Sequence, residues 1–284
     1  MSYLTLQILV ASQSFIFWSI IAIGACVGSF LNVCIFRIPE NSFFAHTRSV
    51  CPRCGAQIPF YLNIPVVSFI YLRGRANCCN AKISWQYPII EISTAVIFGA
   101  LYFKFPFAGW TLQSGVFEIA DFIRWTHAVV FISLMLTMSM IDARLMIIPD
   151  VLSLGMIVLS PVVALVHPDL DFRSSALGVV LGGAVLYAVA WGYWLLRKEY
   201  GLGFGDVKLL AAIGGWLGWQ SVFPTLFLGS IVGSVLAILV MLLARQFSWQ
   251  TKIPFGPYLA GGAVAHLLWG TELFMWLSGG GGAS

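Results

Sequence analysis

Eight apolar runs, at residues 14–36, 87–106, 125–143, 151–167, 174–196, 206–221, 223–244 and 256–277, constrain this chain more than any other feature. Several approach the ~20 residues with which an α-helix crosses a bilayer. Each run is continuous rather than alternating, so the runs describe helices and not the strands of a barrel. Charge is too scarce for a soluble fold: 9% of the 284 residues are charged, against about 25% in soluble domains. We therefore expect an all-α polytopic membrane protein with about eight transmembrane helices. The run 14–36 has no basic segment before it and no small-residue cleavage site after it, so it reads as a span and not as a removable signal. The runs 151–167 and 206–221 are short, which predicts tilting or burial inside the bundle.

The basic residues orient the spans. Threading eight helices from an external N-terminus puts Arg37, Arg48, Arg53, Arg73, Arg75, Lys82, Arg144, Arg197, Lys198, Lys208, Arg245 and Lys252 inside, and Lys104, Arg124 and Arg173 outside. Such an excess of internal Lys and Arg favours this topology. The inner basic residues suit anionic lipid headgroups. Their placement, and not the net charge of +4, is the informative quantity, and nothing here points to nucleic acid.

Between the first two runs lies the one long polar loop, 37–86, which this topology makes cytoplasmic. Four of the six cysteines fall in it: Cys51 and Cys54 in a Cys-x-x-Cys-Gly turn, then the adjacent Cys78 and Cys79. A reducing compartment argues against disulfides. Two thiolates three residues apart can face one ion, so the four are candidate ligands of a structural zinc. The adjacent pair is irregular for such a site. Cys26 and Cys34 lie in the first apolar run and read as small buried hydrophobes. The expected organisation is a first transmembrane helix at 1–36, a small Cys-rich domain at 37–86 and a transmembrane domain at 87–278. The tail 279–284 reads as an appended linker.

With only eleven acidic residues, each can be weighed. Asp142 ends the third run, and Asp206 begins the sixth after Gly201-Leu202-Gly203-Phe204-Gly205. The same topology puts both at the inner face. A carboxylate at the edge of an apolar helix marks a functional site by default, and two that share a proton can hydrolyse peptides. Gly203 and Gly205 suggest unusual dihedrals or close helix approach. Asp150, after Pro149, reads as an N-cap and as the alternative partner. Lys208 reads as snorkelling to the interface. Glu91 sits about one turn into the second run, where a structural role competes with a functional one.

At these residues the chain resembles the type IV prepilin peptidase family, the bacterial GxGD-type intramembrane aspartyl proteases. The resemblance covers Gly24 to Pro39, Cys51-Pro52-Arg53-Cys54, Asn63-Ile64-Pro65 with Ser68, Arg73-Gly74-Arg75, and Tyr87-Pro88 with Glu91. It continues through Ile141-Asp142, Pro149-Asp150, Gly203 to Lys208, and Pro254-Phe255-Gly256-Pro257. One departure is local: Ala76 stands where the family has the first cysteine of its second pair, with Cys79 at the second, so Cys78 would have to substitute through a shifted turn.

The resemblance implies Asp142 and Asp206 as a catalytic dyad in the bacterial inner membrane. The substrates implied are prepilins or pseudopilins, cut at the cytoplasmic face after the glycine that ends a short basic leader. It further implies S-adenosylmethionine-dependent methylation of the new N-terminus, attributed to the Cys-rich loop. Glu40, Glu91 and Arg37 are candidates for contacts to substrate or for methylation. Other readings of the same residues are a peptidase without methyltransferase activity, an ion-coupled transporter using both carboxylates, and a non-catalytic assembly factor. The oligomeric state is left open.

Overall fold

The computed structural model describes residues 3–40, 42, 49–108, 117–199, 203–244 and 254–277. Gly201, Leu202, Arg48, Arg245, Lys252 and the tail 279–284 lie outside these residues. Nine α-helices occur among the described residues: α1 (Tyr3–Arg37), α2 (Val67–Tyr71), α3 (Gln86–Lys104), α4 (Ile119–Leu145), α5 (Asp150–Val166), α6 (Phe172–Arg197), α7 (Phe204–Leu217), α8 (Val222–Ala244) and α9 (Gly256–Leu277). Each apolar run coincides with a helix over most of its length. Among the described residues five helical stretches are long and apolar enough to cross a membrane: Ser14–Arg37, Gln86–Lys104, Ile119–Leu145, Phe172–Arg197 and Trp219–Leu239. The Cys-rich loop lies between α1 and α3, with α2 and a short 3-10 turn, Phe60–Asn63, inside it.

The chain forms two compact units, Met1–Ser133 and Leu134–Ser284, and α4 runs from one into the other. In the first unit α1 packs on α3. The approach is so close that a Cβ on Gly28 would lie 2.1 Å from Thr94 Oγ1 and 2.7 Å from Glu91 Cα. Gly24 and Gly28 are four apart, the spacing that lets apolar helices touch backbone to backbone. Asn32, one turn further, donates to the carbonyls of Gly28 and Tyr87.

In the second unit α7 lies against α5, α6 and α9. Nearly every residue from Asp206 to Trp216 is buried. A helix apolar on all sides must be surrounded, and its 14 residues span about 21 Å at 1.5 Å per residue. The expectation that this short run packs inside the bundle is met. Gly178 and Gly182 of α6 face Gly214 and Leu210 of α7, where a Cβ on Gly178 would lie 2.0 Å from the Gly214 carbonyl oxygen. Ser175 Oγ donates to the Gly215 carbonyl at 2.7 Å, and Trp216 Nε1 to that of Met156 at 2.8 Å, so these two polar side chains are paired across helices. The helix ends where Gly218 takes φ 84°, a value glycine adopts without a Cβ penalty.

Candidate functional site

The second unit brings Asp142 and Asp206 together. Asp142 lies in the last turn of α4 and Asp206 in the first turn of α7, and both are buried. Gly205, which precedes Asp206, and Gly256, which touches Asp142, both stand against Ile148, so the carboxyls are within electrostatic reach of each other. Asp142 is held from a third helix: the N–H of Gly256, at the start of α9, donates to its Oδ2 at 2.9 Å. The first N–H groups of a helix have no partner within it, and the helix dipole there favours negative charge.

The glycines of this site act by proximity. Gly203 is the N-cap of α7 in ordinary extended geometry, φ −71° and ψ 137°, so the expectation of unusual dihedrals is corrected there. A Cβ on Gly203 would approach Asp206 Oδ2 to 3.3 Å, and one on Gly205 would approach Ile148 Cβ to 3.1 Å. A Cβ on Gly256 would meet Asp142 Oδ2 at 2.7 Å and Ile148 Cδ1 at 3.3 Å. Small residues thus surround the carboxyls while Ile148 fills the space beside them.

Two further expectations are corrected. The side chain of Asp150 caps nothing; Pro149 is the N-cap of α5 and Asp150 its first residue. Instead Asp150 Oδ1 pairs with Lys208 Nζ, so Lys208 is an ion-pair partner rather than a snorkelling cation. Its position, two residues past Asp206 on a helix, turns it away from the carboxyls and towards α5.

In the first unit Glu91 is buried and points at the loop. Its Oε2 accepts the N–H of Val66 at 2.7 Å, and the Ser29 hydroxyl bonds to it as well. Val66 has φ 62° and ψ −48°, and Val67 N–H bonds back to the Pro65 carbonyl at 2.6 Å. This is a three-residue turn of the rare, strained kind. Glu40 is exposed in the turn after α1, and Arg37 is half-buried in the last turn of that helix.

The four loop cysteines converge: their sulfurs all lie within 4.8 Å of one another. Cys51 and Cys79 are 3.7 Å apart and Cys54 and Cys78 3.3 Å. Four thiolates about a zinc at about 2.3 Å would stand about 3.8 Å apart, so the donor set fits such an ion. The adjacent pair reaches one point because Asn80 takes φ 55° and closes a turn, its N–H bonded to the Ala76 carbonyl at 2.8 Å. Opposite it, Gly55 at φ 71° donates to the Cys51 carbonyl at 2.9 Å. Backbone N–H groups of Cys54 and Arg53 draw the Cys51 thiol down to about 6, while its hydrogen bond to Cys54 pushes Cys78 up to about 12. Of the four, the Cys51 sulfur is the one whose surroundings most favour the thiolate that a metal binds.

Sequence reasoning missed the Gly256 donor, the Asp150–Lys208 pair and the Val66 turn. A signal did exist for the close helix contacts: Gly24-x-x-x-Gly28 and Gly178-x-x-x-Gly182.

Two family models match the chain: the bacterial peptidase A24 N-terminal domain over residues 22–105 and the type IV leader peptidase family over residues 129–238. A prepilin leader peptidase/N-methyltransferase of Pseudomonas aeruginosa is 35% identical over 276 residues, covering 89% of this chain and 90% of the relative. The protein of the same name from Stutzerimonas stutzeri is 34% identical over 278 residues, with 89% and 90% covered. That from Dickeya chrysanthemi is 31% identical over 274 residues, with 88% and 92% covered. No solved structure matches the chain.

Proposed function

The chain belongs to the type IV leader peptidase family, and on that premise we propose that Asp142 and Asp206 are the catalytic dyad of a prepilin leader peptidase that is also an N-methyltransferase. The observation that carries the assignment is the meeting of two buried carboxyls from separate helices, one of them fixed by the Gly256 N–H. Two such groups hold one proton between them. The ionised carboxylate takes a proton from water as the water oxygen attacks the carbonyl of the leader's last glycine. The protonated partner donates a hydrogen bond to that carbonyl oxygen. Collapse breaks the C–N bond, and the proton just taken passes to the leaving amine. The fixed N–H of Gly256 orients Asp142, so the carboxyl does not have to be ordered during the reaction.

The substrates are type IV prepilins or pseudopilins, embedded in the bilayer with the enzyme. We place eight spans in the bacterial inner membrane, with the N-terminus outside and the dyad at the cytoplasmic face. The division is a first span at 1–36, a Cys-rich domain at 37–86, a peptidase domain at 87–278 and a tail at 279–284. Cys51, Cys54, Cys78 and Cys79 would hold a structural zinc, which would tie the loop's two cysteine turns together. S-adenosylmethionine supplies an electrophilic methyl group for the new amine. Glu91 holds the loop through Val66, and Arg37 and Glu40 stand where α1 enters it. The test is incubation of the purified protein with a prepilin and S-adenosylmethionine, with masses read out. Loss of the leader mass followed by a gain of one methyl is expected; an intact prepilin would refute the assignment.

A further inference from the structure

In the first unit, residues of the segment 73–85 line a cleft together with Pro88 and Ile92 of α3. Arg75 and Lys82 face each other across an antiparallel bridge, and the Ile83 N–H ties the two limbs by a 2.8 Å bond to the Gly74 carbonyl. Like charges directly opposed across a strand pair destabilise it. Arg73 adds a third cation, its backbone left-handed at φ 50° and followed by Gly74 at φ 70°. All three side chains are exposed. Neither ion pair described here, Arg124–Asp121 or Lys208–Asp150, involves Arg73, Arg75 or Lys82, and among the described residues no carboxylate pairs with this trio.

The three cations line one open cleft of about 650 Å³, a size that suits a ligand. No acidic residue is among the described residues that line it. Its remaining wall is apolar and includes Phe69, Trp85 and Ile92. Ile92 belongs to α3, a helix long and apolar enough to cross a membrane. Ile70 and Trp85 are 68% and 69% exposed, so the apolar wall continues out of the cleft. The cleft thus sets three cations beside apolar side chains of α2 and of the first two turns of α3. A free anion would use only the cations. A sulfonium-bearing methyl donor would meet three like charges and no carboxylate.

We propose that this cleft binds one anionic glycerophospholipid. The guanidinium groups of Arg73 and Arg75 and the ammonium of Lys82 hold the headgroup phosphate. An acyl chain lies along Ile70 and Ile92. The indole of Trp85 takes the boundary position that such rings favour at membrane interfaces. The proposal rests on α3 spanning a bilayer. Release of the protein from membranes by alkaline carbonate would overturn that premise alone, separately from the site.

Native mass spectrometry of the full-length protein, released from nanodiscs of mixed phosphatidylglycerol and phosphatidylcholine, tests the site. The unaltered chain is expected to retain one phosphatidylglycerol in preference to phosphatidylcholine, and millimolar inorganic phosphate or S-adenosylmethionine is expected to leave it bound. R73Q/R75Q/K82Q is expected to lose roughly a hundredfold in retention, and R73K/R75K/K82R to keep it. Equal retention of both lipids, displacement by phosphate, displacement by the methyl donor, or undiminished retention in the neutral variant would each overturn the assignment. Headgroup preference is read on the unaltered chain, so a variant that fails to fold leaves a decisive measurement standing.

Discussion

Asp142 shows how far single residues carry the argument. Its type and its place at the end of an apolar run were legible; its donor was not, because Gly256 lies 114 residues away in sequence. Asp142→Asn and Asp206→Asn are each expected to lower leader cleavage by about 10²–10⁴-fold or more with the protein still folded, measured by peptide cleavage in detergent. Asp150→Asn is expected to remain within about fivefold of normal, because an exposed ion pair contributes at most about 1 kcal/mol. The reason differs from the one its neighbourhood suggests, since the side chain pairs with Lys208 and caps no helix. The cysteines make a pH prediction. Cys51, drawn down to about 6, is largely thiolate at neutral pH and releases little, whereas Cys78, pushed up to about 12, must give up its proton to bind metal. Zinc affinity should therefore rise with pH across the neutral range, with net proton release. A pH-independent affinity in competition titrations would contradict this.

Helices were the easiest features to read and their contacts the hardest. Apolar runs located each of the long helices because a bilayer or bundle core demands length and hydrophobicity and little else. Nothing in valine's chemistry announces the left-handed turn at Val66; it exists because a buried acceptor on α3 holds its N–H. Gly28→Val would force α1 away from α3, since the first added carbon already falls 2.7 Å from the Glu91 backbone. Overpacking of this kind costs typically about 1–3 kcal/mol, so a lowered thermal midpoint in detergent is expected. Gly205→Val should also fail in cleavage, because Ile148 stands 3.1 Å from where its Cβ would sit; unaltered cleavage would show that the spacing is incidental.

On the scale of the whole molecule, the two carboxyls belong to one unit and the four cysteines to the other. Cys51→Ser, or chelation, is expected to loosen the loop around α2 first and to reduce methylation more than cleavage. Hydrogen exchange and a two-product mass assay would check this, and equal loss of both activities would count against a division of labour. The loop is also where the sequence was least informative. The adjacent Cys78 and Cys79 read as irregular, and only the left-handed Asn80 shows how both sulfurs turn inward.

The short buried helix α7 has a consequence for biosynthesis. A segment of 14 residues with a carboxylate in its first turn has little reason to partition into lipid by itself. Its glycine-lined contact with α6 supplies what the bilayer does not. The ribosome must therefore finish α6 before Phe204–Leu217 can settle, and a chain truncated after α5 but rejoined to α7 should be cleared by membrane quality-control proteases instead of accumulating.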